Sequence, residues 1–102
     1  MQPHVPAPAQ FVATVEKIDQ SLDAVVDHGS DNDLFIASYL QGHFAVEARK
    51  LELDSTASLT QLADNMQRSL SQAFNNNELE EADQQAVLAL WQKLLAANNE
   101  EA

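Results

Sequence analysis

Cysteine is absent from the 102 residues. Disulfides, thiolate nucleophiles and Cys-ligated zinc or iron–sulfur clusters are therefore excluded. Glycine occurs only at Gly29 and Gly42, and all three prolines fall within the first eight positions. β-branched and aromatic residues are too sparse for a sheet protein. No apolar run approaches the ~18 residues of a membrane span. The first ten residues lack the basic and apolar regions of a secretory signal, so a cytoplasmic location is expected. Positive charge is scarce as well: five Lys and Arg stand against sixteen Asp and Glu, for a formal net charge of −11. That field repels phosphate backbones and anionic headgroups, which argues against nucleic-acid and membrane partners.

What remains is rich in Ala, Leu, Gln and Glu, all good helix formers. Residues 1–9 read as a disordered Pro/Ala-rich leader, because proline so frequent cannot propagate a helix. A first helix is expected from Gln10 to His28. Its apolar residues Phe11, Val15, Ile18, Leu22 and Val25 recur at the spacing of bundle packing. Gly29 stands where a left-handed C-terminal cap is expected. Ser30 and Asp33 form a capping-box pattern for a second helix. That helix carries Ala37, Leu40, Phe44, Ala48 and Leu51, with Leu34, Phe35, Ile36, Tyr39 and Val46 broadening the stripe, and is expected to be the most buried. Ser55 or Ser58 caps the third helix, whose stripe runs through Leu59, Leu62, Met66, Leu70 and Phe74 to the Asn75–Asn77 stop. The fourth starts near Glu80 and carries Val87, Leu88, Trp91, Leu94 and Leu95. Short connections make consecutive helices antiparallel, so residues 10–98 are expected to form an up-down-up-down four-helix bundle, with residues 99–102 frayed.

The segment from Asp27 through Gly29, Asp31 and Asp33 to Phe35, followed by Tyr39-Leu40-Gln41-Gly42-His43, resembles the YfcL family of small bacterial proteins. Asp83-Gln84, Val87 and Trp91 resemble that family's last helix, and the likeness spans Phe11 to Leu95. It implies a small cytoplasmic protein. It carries over no activity and no catalytic residue.

Two groups of residues attract a functional reading. Tyr39 and His43 are four apart and share a helix face. Gly42 beside them costs about 1 kcal/mol relative to Ala in a helix interior, so close approach by another element is the expected compensation. The bland reading is a packing notch with a hydrogen-bonded Tyr/His pair. The functional alternative is a small-molecule binding protein or enzyme with a groove around Tyr39, Gly42 and His43. His28 and His43 lie too far apart to share a metal ion, and neither follows a Glu by three residues as in di-iron bundles. The Asp31-Asn32-Asp33 run fails as a calcium loop, since its sixth and twelfth positions are Ile36 and Gly42. No metal, cofactor or catalytic residue is assigned, and enzymatic activity is not expected.

The second group is acidic. No Lys or Arg occurs between Lys17 and Arg49 or between Arg68 and Lys93. In the expected topology both windows converge on one end. Asp23, Asp27, Asp31 and Asp33, with His28, would meet Glu78, Glu80, Glu81 and Asp83 there, half of all carboxylates in the chain. Several sit in first turns, where negative charge offsets the helix dipole; Asp23 and Asp27 approach a C-terminus and lack that excuse. Such a pole is either a solvated end or a docking surface for a basic patch on a protein partner. Nucleic-acid mimicry is a third option, requiring phosphate-like spacing.

Overall fold

The computed structural model describes residues 7–99, in four helices: α1 Ala9–His28, α2 Asp31–Lys50, α3 Leu59–Asn75 and α4 Glu81–Asn99. Residues 1–6 of the expected leader and residues 100–102 of the expected frayed end lie outside the described residues. The leader nevertheless ends earlier than proline content suggests. Ala7 is buried and its N–H donates to the Glu52 carbonyl at 2.8 Å. Pro8 then serves as the N-cap of α1. Residues 7–9 thus belong to the domain, because proline is compatible with a helix start.

Adjacent helices pack in an up-down arrangement, and α2 also packs against α4 across the diagonal. Phe44 and Trp91 mark that diagonal contact, with ring centroids 6.0 Å apart and planes tilted by 53°. The expected stripes supply the core: Phe11, Ile18 and Leu22; Ile36, Ala37, Leu40, Phe44 and Ala48; Leu62, Met66 and Leu70; Val87, Trp91 and Leu94. α2 contacts all three other helices, yet it is not apolar to the core on every side. Phe35 and Val46, read above as broadening its stripe, are 47% and 54% exposed, and Leu34 is exposed as well. Three neighbours cover one side of a helix and leave the far side open.

The ends follow from the local sequence. Ser30 and Asp33 close a full capping box, each side chain accepting from the other's backbone N–H at 3.2 Å. Ser58, rather than Ser55, caps α3, accepting from the Gln61 N–H at 3.1 Å. Asn77 takes the left-handed conformation (φ 60°) that the Asn run anticipates. The Asn77 N–H donates to Phe74 and the Glu78 N–H to Ala73, the paired bonds of a Schellman cap.

Both glycines depart from expectation. Gly29 is extended (φ −83°, ψ 173°), not left-handed. A Cβ there would lie 2.7 Å from the Val25 carbonyl oxygen and 2.7 Å from the Asp33 Cβ. The capping box draws Asp33 back over the turn, and close approach, not backbone sign, demands glycine. At Gly42 the reverse holds: a Cβ would meet nothing within 4 Å, so no element of the described residues approaches the expected notch. Replacing Gly42 by Ala should therefore stabilise the monomer by about 0.5–1 kcal/mol, measured as a raised urea midpoint in Trp91 fluorescence at low protein concentration.

Candidate functional site

Tyr39 and His43 stand on the α3-facing side of α2, with ring centroids 4.9 Å apart. Both are half-buried. The Tyr39 hydroxyl donates to Glu78 Oε1 at 2.9 Å, and the Schellman cap is what holds Glu78 in place. His43 Nδ1 shares a 2.7 Å hydrogen bond with Ser69 Oγ. The row Glu78–Tyr39–His43–Ser69 therefore ties α2 to α3 and to the α3–α4 turn.

Burial, the hydrogen bond to Glu78 and its negative charge push the Tyr39 phenol from 10.0 up to about 12. The folded state thus holds this proton more tightly than the unfolded chain. The resulting stabilisation is complete below pH 10 and is lost as pH rises through the folded value of about 12. Glu78→Gln removes the charge and leaves the burial, so the Tyr39 titration, followed at 295 nm, should move down part of the way towards its ordinary value.

Ser69 beside His43 has the composition of a nucleophile and its base, a pairing that sequence reasoning missed although Ser69 follows the buried Met66 by one helical turn. The geometry does not extend it to acyl transfer. Ser69 lies inside α3, where the neighbouring backbone N–H groups serve the helix and none is free to hold an oxyanion. No carboxylate orients the second ring nitrogen of His43 among the hydrogen bonds of the described residues.

Of the eight carboxylates assigned to the pole, three have internal duties. Asp33 is held by the capping box, and Glu78 by Tyr39. Asp23, unexplained by helix dipoles, accepts from Gln41 Nε2 at 2.8 Å, and Asp19 accepts from the same amide at 3.3 Å. One Gln on α2 thereby bridges two carboxylates one turn apart on α1. Asp27, Asp31, Glu80 and Glu81 are exposed, as is His28 in the last turn of α1; Asp83 is half-buried. The Tyr39–Glu78 bond fixes the α3–α4 turn beside α2 about 12 Å along the axis from Asp31. Tyrosine leans towards the helix N-terminus, so this turn lies in the same half of the bundle as the Gly29 turn. Among the described residues the one ion pair is Lys50–Glu47 at 3.3 Å, and no group of three His, Asp or Glu could hold a metal ion.

A concavity lies beside this row and shares Ser69 with it. Between α2 and α3 an open groove of 720 Å³ is lined by Glu47, Lys50, Arg68, Ser69, Gln72 and Asn75 among others. Sequence reasoning missed it, although Glu47 falls on the apolar stripe seven residues after Leu40 and is buried.

The sequence of residues 11–96 matches the family described as YfcL protein. The chain belongs to the YfcL family. A curated relative from Escherichia coli (strain K12), described as uncharacterized protein YfcL, is 34% identical over 73 residues, covering 72% of this chain and 79% of that protein. No solved structure matches. Within this YfcL-family fold no helix of the described residues is long and apolar enough to cross a membrane.

Proposed function

We propose that this YfcL-family protein is a non-enzymatic interaction module whose acidic pole docks a basic patch on a protein partner. The supporting observation is the unequal distribution of charge. The eight carboxylates from Asp23 to Asp33 and from Glu78 to Asp83 have no Lys or Arg among them, while the other eight share the chain with all five cations. No ion pair neutralises the pole among the described residues. Its field extends over roughly a Debye length, ~8 Å at physiological salt, and acts chiefly on association rate and on partner choice. The groove reading of Tyr39, Gly42 and His43 is the lesser proposal, because the polar atoms of Tyr39 and His43 already serve internal partners.

The test uses a fluorescent Lys/Arg-rich peptide as probe. Asp27, Glu80 and Glu81 are changed to Asn or Gln together; they are exposed and make no side-chain hydrogen bond or ion pair among the described residues. The control neutralises the equally exposed Glu16, Glu52 and Asp64. Binding at low salt should fall roughly tenfold, equivalent to ~1.4 kcal/mol, for the pole variant and far less for the control. Equal losses in both would show only a response to net charge and would overturn the docking pole.

A further inference from the structure

The far side of α2 carries a second, unpartnered seam. Asp31, Phe35, Ser38, Gly42, Ala45 and Arg49 recur at alternating spacings of four and three, the a/d period of a two-stranded coiled coil. All six are exposed, and the buried stripe through Ile36, Leu40 and Phe44 occupies the opposite side of the same helix. Phe35 is nearly half exposed, an unusual position for a large aromatic ring with no internal role. Gly42, at the centre, weakens the helix while none of the described residues uses the space it leaves.

The geometry points to a second copy of this chain as the occupant, packed antiparallel along α2. The charges decide both partner and direction. Asp31 opens the seam and Arg49 closes it, and each end is otherwise unpaired among the described residues. A twofold axis at the level of Leu40 sets Asp31 against the second copy's Arg49, Phe35 against its Ala45, and Ser38 against its Gly42. These are the mixed a–d layers of an antiparallel pair, and each occurs twice by symmetry. The large ring meets a small residue, beside an open hollow of 390 Å³ lined by Ala45, Val46, Arg49 and Lys50. Ser38 and Gly42, both small, meet in the middle, where the backbones come closest. A parallel pair would instead stack Asp31 on Asp31 and bring the two acidic poles side by side. The antiparallel pair separates the Asp31 ends by about 27 Å, more than three Debye lengths at ~8 Å each.

One helix face falls short of the ~800 Å² per partner of standard interfaces, so a weak dimer is expected, with a dissociation constant on the order of 100 µM. Sedimentation equilibrium of the full chain from about 10 µM to about 1 mM spans that value. D31R places two cations in each end layer and R49D places two anions there, so either variant alone should weaken the dimer at least tenfold. Mixed together, the two variants should form a heterodimer of wild-type strength, identified by its mass in native mass spectrometry, because each opposed pair again has opposite signs. Gly42→Gln provides a second arm: it replaces the poorer helix former and should leave the monomer at least as stable, yet fill the centre of the seam and abolish the dimer. Far-UV circular dichroism reports that each variant is folded. Wild-type chain monomeric at 1 mM, or a dimer indifferent to D31R, R49D and Gly42→Gln, would overturn the assignment, as would failure of the mixed variants to pair.

Discussion

Replacing Phe44 by alanine is expected to cost about 3–5 kcal/mol. Phe44 is 1% exposed and sits where the diagonal helices α2 and α4 meet, its ring against that of Trp91. The truncation removes the apolar area of a whole ring and leaves a cavity that the two helices cannot close without losing contacts elsewhere. A domain of this size has total stability of about 5–15 kcal/mol, so the variant should unfold at a much lower urea concentration, with unchanged denaturant slope. Trp91 reports the event directly, because its 2% exposure rises on unfolding and its emission shifts to the red. A loss below about 1 kcal/mol would show that the α2–α4 contact is not a centre of the core.

Glu47→Leu should act in the opposite direction. Glu47 lies on the core stripe of α2 with its side chain 9% exposed, and its ion-pair partner Lys50 is 62% exposed one turn away. With so little of its side chain exposed, at the wall of the open α2–α3 groove, Glu47 gives up part of its hydration, and a largely solvated lysine restores it only in part. A leucine of similar volume removes that penalty and extends the Leu40–Phe44 stripe, so a gain of about 1–2 kcal/mol is expected in urea unfolding. Lys50→Ala, which strips the carboxylate of its partner, should instead destabilise by about 0.5–1 kcal/mol, the modest value proper to a pair with one exposed member. If both substitutions destabilise by similar amounts, the carboxylate is contributing to the fold through the α2–α3 groove rather than burdening it.

The helices, their order and most of their ends were legible because they depend on neighbours in the chain. The three-and-four spacing from Phe11 to Val25 already selects one buried face, and Ser30 with Asp33 already contains both halves of a capping box. Asn77 could be anticipated in the left-handed region because its side chain tolerates what most residues do not. The site was legible only in outline. Tyr39 and His43 were recognisable as a pair from their spacing, but their partners Glu78 and Ser69 are distant in sequence. The two carboxylates bridged by Gln41 could not be foreseen either, since no local pattern says which amide will cross from α2 to α1.

Charge, helix content and the gathering of carboxylates near two turns were set by composition and short-range pattern, where each residue answers to others within one or two helical turns. The roles of Gly42 and of Phe35 were settled only by the assembled bundle. Whether an apolar or a missing side chain faces a neighbour or open space depends on where three other helices come to rest. Periodicity selects a face; the packing of the remaining helices determines how much of that face is covered, and at Gly42 and Phe35 it left the surface bare.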